Sequence, residues 1–159
     1  MLKLTFTVSF FGHRRLDDLN HIDERLMPLL QQLIRDKNYV IFQVGRNGEF
    51  DEYVASVIKR ARREYGVDNS ELLLVLPYEV ADMNDYWEYY DAVCIPECLE
   101  GVHPKSAITQ RNRWMVEEAD LVVVNVERAS GGAYQAKRYA EKLHIPVVNL
   151  AEEGMVGRY

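Results

Sequence analysis

The chain has few cysteines, no long apolar run and no excess of positive charge. Its 159 residues include only two cysteines, Cys94 and Cys98, so no disulfide framework is expected. No stretch is apolar over enough residues to span a bilayer. The N-terminus lacks the basic, apolar and small-residue succession of a signal peptide. These absences predict a soluble, cytoplasmic protein that does not associate with a membrane.

The charge balance bears on the choice of partner. Asp and Glu number 25 and Lys and Arg number 19, which gives a formal net charge of −6. Such a balance argues against a broadly basic protein surface that binds the phosphate backbone of a nucleic acid, so a nucleic-acid partner is disfavoured. A local basic pocket for a small anion remains compatible with it.

Two phosphate and hydrolase motifs are also missing. The chain has no Gly-x-x-x-x-Gly-Lys-Ser/Thr loop and no Gly-x-Ser-x-Gly elbow, which argues against the ATPases and hydrolases that use them. Cys94, Cys98 and His103 are zinc-capable, but their spacing is not that of a common zinc module. Two partly buried thiols are the favoured interpretation, and neither a metal nor a cofactor is expected.

Apolar strands alternate with amphipathic helices along the whole chain. With 48% apolar residues, a chain of this length predicts one domain, residues 1–159, around a substantial core. The alternation predicts an α/β fold, an open parallel sheet with helices on both faces. Pro28 is expected to kink the first helix or to displace its start. The predicted strands are 4–11, 39–44, 72–76, 121–126 and 145–150, and the helical spacings cover 19–33, 50–61, 107–119 and 136–143.

Three glycine-bearing loops follow the first, second and fourth of these strands. In an open parallel sheet the ligand crevice is built from the loops at the carboxyl ends of the strands. Glycine lets backbone N–H groups approach a phosphate, and a helix N-terminus adds partial positive charge. The loops therefore predict an anionic small-molecule ligand, a nucleotide or sugar phosphate. They are Gly12-His13-Arg14, Gly45-Arg46-Asn47-Gly48 and Ser130-Gly131-Gly132.

Residues 78–105 break the alternation and are rich in aromatic side chains. The first half is expected to form a short helix and the rest a long ordered loop. One interpretation is a lid that stacks on a base or covers a ribose. The other, which is favoured, is a packing surface or a subunit interface. The aromatic residues of the first half are Tyr78, Tyr86, Trp87, Tyr89 and Tyr90.

A set of motifs spread over nearly the whole chain carries a family resemblance. They are Phe11-Gly12-His13-Arg14, residues 45–51, Arg111-Asn112-Arg113-Trp114-Met115, Ala119-Asp120 and Ser130-Gly131-Gly132. With these motifs the chain resembles the SLOG superfamily of Rossmann-like proteins, particularly bacterial members with a Gly-His-Arg motif after the first strand. Lonely Guy phosphoribohydrolases and the DNA-processing protein A family are similar, more distant relatives.

The resemblance implies a Rossmann-like sheet of order 3-2-1-4-5 and a nucleotide-derived ligand. The chain reverses direction between the first and fourth strands of that order, so the Gly12 and Gly131 loops bound the crevice. The Gly45 loop lies beside the first, and all three converge on one site. Together with the apolar and aromatic surface, the resemblance also favours a homodimer.

Each glycine-loop residue has a predicted role and an alternative. Gly131 and Gly132 are expected to offer backbone donors to phosphate, with Ser130 adding a hydroxyl. The alternative is that Ser130 is a plain helix N-cap. Arg14 is expected to make a bidentate hydrogen bond to a phosphate or carboxylate. The alternative is a solvated or paired surface group, which is the usual state of an arginine after a strand.

Two further residues each have a possible role in ligand binding and a possible structural role. His13 either donates to a phosphate or ribose hydroxyl or is a structural histidine with satisfied hydrogen bonds. Asp51 either holds ribose hydroxyls or is a carboxylate that stabilises the start of the second helix.

Arg111 is a ligand contact by resemblance to Lonely Guy enzymes. Those enzymes carry an arginine four residues before a methionine, followed by an aspartate and a strand, and Arg111, Met115 and Asp120 match that spacing. Their arginine belongs to the active site. Arg113 is expected to face solvent or a partner.

The chain departs from those enzymes at their catalytic residue. They follow the glycine pair with Gly-Thr-x-x-Glu, whereas here Ala133-Tyr134-Gln135 follows Gly132 and no carboxylate occupies the place of the glutamate. Glu49, Asp51 and Glu127 are possible substitutes, and none is singled out. Catalytic residues thus stay unassigned. The favoured function is binding or sensing of a nucleotide-derived ligand, ahead of N-glycosidic bond cleavage and of single-stranded DNA binding.

Overall fold

The computed structural model describes residues 4–16, 19–152 and 159. In this part of the chain the strands are β1 Thr5–Gly12, β2 Tyr39–Val44, β3 Ser70–Val75, β4 Ala92–Cys94, β5 Leu121–Asn125 and β6 Val147–Asn149. The α-helices are α1 Leu19–Asp36, α2 Glu49–Tyr65, α3 Met83–Tyr89, α4 Pro104–Glu118 and α5 Gly132–Lys142, and Glu97–Leu99 forms a 3-10 helix.

The six strands form one parallel sheet of order β4-β3-β2-β1-β5-β6. The predicted α/β class is confirmed, and the five predicted strands occur in the predicted order. The expectation of five strands is wrong, because β4 pairs with β3 at the edge of the sheet, with Val93 beside Leu74. This strand has only three half-buried residues, so the sequence carries no apolar run that would reveal it.

Helices cover both faces of the sheet, and the strands are correspondingly apolar. All five residues of β5 are buried, and neighbouring residues of β1 point to opposite faces. Phe10 belongs to the core under α1 and α2, and Phe11 to the core under α4 and α5. On α5 the buried side chains are alanines, Ala133, Ala136 and Ala140, which lets that helix lie close to its neighbours.

The first helix runs through its proline. It begins at Leu19 and ends at Asp36, with Pro28 on its exposed side, so the proline does not displace the start. Leu26, Leu30 and Leu33 are fully buried on the opposite side, and their burial offsets the lost N–H of the proline.

Residues 78–105 contain regular structure beyond the expected short helix. That helix is confirmed as α3, but the long loop is wrong, because β4 and the 3-10 helix lie within it. Tyr90 is 3% exposed and packs in the core, whereas Trp87 is 54% exposed. Among the described helices, none combines the length and apolar character needed to cross a membrane.

Candidate functional site

A cleft of about 430 Å³ lies at the carboxyl ends of the strands. It is bounded by the loops after β1, β2 and β5, the start of α5 and one side of α4. All but one of the predicted site residues line it: Gly12, His13, Arg14, Gly45, Asp51, Arg111, Gly131 and Gly132. Ser130 is exposed and outside the lining, and it does not cap α5, because the N-cap is Gly131. The interpretation of Ser130 as the N-cap is therefore wrong.

Two glycines are required by the packing of the first two loops. A Cβ on Gly12 would lie 2.1 Å from Cγ of Phe50, and one on Gly48 would lie 2.5 Å from Cα of Arg14. The same loops are joined by hydrogen bonds. The Glu49 N–H donates to the Arg14 carbonyl at 2.8 Å, and the Leu16 N–H donates to Glu49 Oε2 at 2.7 Å. Gly12 and Gly48 thus serve close approach of protein to protein, and the carboxylate of Glu49 is engaged.

The Arg111 guanidinium forms the floor of the cleft. Arg111 is 2% exposed and donates from Nη1 to the Val75 carbonyl at 2.9 Å. Its Nη2 donates to Asn47 Oδ1 at 2.8 Å, and its Nε to Asn112 Oδ1 at 2.9 Å. A Cβ on Gly45 would lie 3.0 Å from Nη1, so that glycine makes room for the guanidinium. These bonds use three of the five N–H donors of an arginine and engage each of its three nitrogens.

Asp51 lies beside this guanidinium at the start of α2. It is 9% exposed, and its Oδ2 accepts the Asn47 N–H at 2.9 Å. Burial raises the pKa of the Asp51 carboxyl, while the Asn47 N–H and the Arg111 charge oppose that rise. Burial lowers the pKa of Arg111, and the Asp51 charge opposes that change. Asp51 is therefore a helix-start carboxylate that also lines the cleft.

His13 links the loop after β1 to the loop after β5. It is 8% exposed, and its Nε2 accepts the Glu127 N–H at 3.2 Å. Burial, and then the charge of Arg128, lower the pKa of His13, with Glu127 opposing. The ring is neutral when it accepts this bond, because a protonated Nε2 has no lone pair. The geometry favours the structural interpretation of His13.

The cleft is electropositive although the chain is acidic. Four basic side chains line it, Arg14, Lys105, Arg111 and Arg128, while Asp51 is the one carboxylate among its described lining residues. Arg14, Lys105 and Arg128 are exposed and form no ion pair with any residue that the structure describes. No described carboxylate therefore neutralises these three cations.

Sequence reasoning missed two of these cations. Arg128 lies three residues beyond the end of β5, so the end-of-strand rule that selected the glycine loops would also have selected it. Lys105 lies on the same side of α4 as Thr109 and Asn112, and this side lines the cleft. The sequence nominated only Arg111 on this helix, and its position alone does not show that the side with Lys105 also faces the cleft.

The start of α5 differs from the other two helix starts near the cleft. The first turn of α2 carries Glu49, Asp51 and Glu52, and α4 is capped by His103, whose Nδ1 accepts the Lys105 N–H at 3.2 Å. The start of α5 has no acidic residue and no side-chain cap. Its N-cap, Gly131, has a φ of 93°, a conformation that favours glycine. The first N–H groups of α5 are therefore left for solvent or a ligand.

The aromatic side chains of residues 78–105 do not line this cleft. Tyr86, Tyr89 and Tyr90 instead surround Arg46 in a separate cavity of about 400 Å³, with the Arg46 guanidinium 4.8 Å from the Tyr86 ring centre. This arrangement favours the packing interpretation over a lid. Cys94 is half-buried, and burial raises its pKa; Cys98 is exposed. Within the described ranges, no group of three or more His, Cys, Asp or Glu side chains is arranged to hold a metal ion.

Comparison with known proteins finds solved structures of similar fold. No family model and no curated protein matches the chain. DNA processing protein A from Helicobacter pylori, solved for its single-stranded DNA binding mode, matches with a TM-score of 0.60 and 14% identity over 89% of this chain and 63% of that one. DNA processing protein A from Streptococcus pneumoniae matches with a TM-score of 0.63 and 15% identity, over 89% of this chain and 49% of that one.

This chain spans less than two thirds of either protein. At such low identity the likeness shows a shared Rossmann-like fold. The resemblance to the SLOG superfamily and to its narrower Gly-His-Arg group stays a prediction.

Replacing Arg111 by methionine is expected to destabilise the fold. The Val75 carbonyl and Asn47 Oδ1 lose their donor, and an unsatisfied buried acceptor costs about 1–3 kcal/mol. The free energy of unfolding, measured in urea, should fall by at least that amount. Arg138→Met removes the same charge from an exposed position and should change stability by only about 0.5 kcal/mol. Equal stability of the two variants would show that Arg111 does not hold the loops together.

The His13 bond makes stability depend on pH. The folded-state pKa of His13 lies below the ordinary value of about 6.5. The contribution of neutral His13 to the free energy of unfolding is therefore complete above that pH and is lost as pH falls toward the folded-state pKa. Relative to His13→Gln, which does not titrate, the natural protein should lose stability as pH falls through about 6.5 toward the lower folded-state pKa. Urea unfolding at each pH measures this difference, with His144→Gln as the exposed control. A difference that stays constant with pH would contradict the assignment.

Proposed function

We propose that the cleft binds the phosphate of a nucleotide or nucleotide-derived ligand, with the phosphate at the start of α5. The observation that carries the proposal is the uncapped α5 N-terminus at Gly131 and Gly132, which opens onto a cleft with three exposed cations. Backbone N–H groups at a helix start and its partial positive charge together stabilise an anion.

The surrounding side chains supply the rest of such a site. Arg128 and Arg14 lie on the loops that flank the start of α5, and Lys105 begins the wall formed by α4. Charge-assisted hydrogen bonds from such groups to phosphate are about twice as strong as neutral ones. The cleft volume of about 430 Å³ falls within the range of small-molecule pockets.

Binding or sensing is favoured over cleavage of an N-glycosidic bond. The place of the Lonely Guy glutamate holds no carboxylate, Glu49 accepts the Leu16 N–H, and Glu127 lines a separate cavity behind His13. Asp51 remains as a carboxyl with a raised pKa in the cleft, which is the property of a general acid. Among the described residues that line the cleft, Asp51 is thus the candidate acid for an enzyme of this class.

Single-stranded DNA is a second candidate ligand, and a specific observation favours it. The Helicobacter pylori protein of the same fold is described as binding single-stranded DNA. The net charge of −6 disfavours nucleic acid over the surface as a whole, but the cleft itself is basic. The fold likeness thus weakens the expectation that nucleic acid is a disfavoured partner. Both candidates present a phosphate to the same helix start.

Gly132→Asp tests the phosphate assignment without threatening the fold. A Cβ on Gly132 would lie 3.7 Å from Asn112 Nδ2, an ordinary contact, and an aspartate in the first turn of a helix is stabilising. By calorimetry, AMP, ADP-ribose and NAD should bind the natural protein, and Gly132→Asp should weaken that binding at least tenfold while the melting temperature stays the same or rises.

Two controls make the outcome decisive. Gly132→Asn has nearly the same shape without the charge and should retain more affinity than the aspartate variant. Adenosine lacks the phosphate and should bind the natural protein more weakly than AMP. Undiminished AMP binding by Gly132→Asp would overturn the assignment. Release of a free base during the titration would instead support the N-glycosidic reaction.

A further inference from the structure

A second, wider depression lies between α4 and α5. This α4–α5 groove has a volume of about 550 Å³ and is lined by Thr109, Asn112, Arg113, Gly132, Gln135, Ala136, Arg138, Tyr139 and Lys142. Thr109, Asn112 and Gly132 also line the cleft, so the two depressions share a wall. The cleft and the groove therefore adjoin at Gly132.

Three cations line the groove, and the Glu117 carboxylate lies at its side, bonded to Tyr139. Arg113, Arg138 and Lys142 are exposed, and no carboxylate is among the described residues that line it. None of the three forms an ion pair with a described residue, whereas Lys137 on the same helix lies 3.2 Å from Glu141. Arg138 and Lys142 are four residues apart, a spacing at which like charges repel. The dipole of α5 favours Lys142 in its last turn but does not account for the other two.

An aromatic side chain stands among these cations. Tyr139 donates from its hydroxyl to Glu117 Oε1 at 2.7 Å, and the Arg113 guanidinium lies 5.5 Å from its ring centre. These contacts hold the ring in a fixed place at the side of the groove. Cations that follow a backbone, with an aromatic ring on which a base stacks, are the combination typical of single-stranded nucleic-acid binding.

We propose that the α4–α5 groove binds the outer nucleotides of a single-stranded oligonucleotide whose first phosphate occupies the cleft. The inference rests on the proposed function, because it takes the start of α5 as the first phosphate position. At about 1.5 Å per residue, Arg138 lies about 9 Å and Lys142 about 15 Å along α5 from Gly132. A ligand needs further phosphates beyond the first to reach both, so an oligonucleotide gains contacts that a mononucleotide lacks.

Arg138→Ala/Lys142→Ala tests this path by fluorescence polarisation with labelled oligothymidylates of increasing length. The natural protein should bind longer strands more tightly than thymidine monophosphate. The double variant should lose about tenfold or more of the affinity for the longer strands and keep its affinity for the mononucleotide. Each lost phosphate contact lowers the salt slope of single-strand binding by about 0.7, so the slope should fall by about 1.4.

Arg35→Ala/Arg63→Ala is the matched control. It changes the net charge equally, on α1 and α2 at the opposite face of the sheet, and should leave strand binding unaffected. Equal losses in the two double variants, or no dependence on strand length while the mononucleotide binds, would overturn this inference alone. If no phosphate compound binds the natural protein, the proposed function fails and this inference with it. A change of oligomeric state with unchanged strand affinity would assign the groove to a second copy of the chain and overturn the inference.

Discussion

The buried Arg111 guanidinium is the constraint on which the cleft depends. It joins the end of β3, the loop after β2 and the side of α4, through the Val75 carbonyl, Asn47 and Asn112. A buried cation requires this many acceptors, since an unsatisfied charge in a protein interior is costly. The need for Gly45 follows, because any side chain there would press on the guanidinium. The charge of Asp51 stabilises the Arg111 cation, while burial raises the pKa of the Asp51 carboxyl.

The division of charge around this floor gives the cleft its chemistry. The start of α2 is already compensated by its own acidic residues, whereas the start of α5 has neither a cap nor a carboxylate. The exposed cations Arg14, Lys105 and Arg128 lie around the second of these helix starts. Net charge describes solubility and long-range attraction, while a binding site depends on the local arrangement. An acidic chain therefore still presents basic side chains in both the cleft and the adjoining α4–α5 groove.

The sequence was sufficient for the loops of the site and insufficient for its interior. Strand ends follow from apolar runs that stop at Gly12, Gly45 and Val126, within one residue of the observed ends, and parallel strands bring those ends to one edge. The edge strand β4 was not predicted because its three half-buried residues form no apolar run or alternation in the sequence. The partners of Arg111 are distant in sequence and arise only from packing. Ser130 was expected to add a hydroxyl to the site or to cap α5, but the N-cap is Gly131, and this one-residue difference depends on the backbone conformation of Gly131.

Backbone amide NMR of the labelled protein during titration with AMP tests the central claim most directly. It reports on each N–H group separately and needs no substitution, so the start of α5 can be compared with the start of α2 in one experiment. The account predicts that the amides of Gly131, Gly132 and Ala133 shift most, since their N–H groups would donate to the phosphate. Saturable shifts confined to other parts of the chain, or no shifts at millimolar AMP, would contradict it.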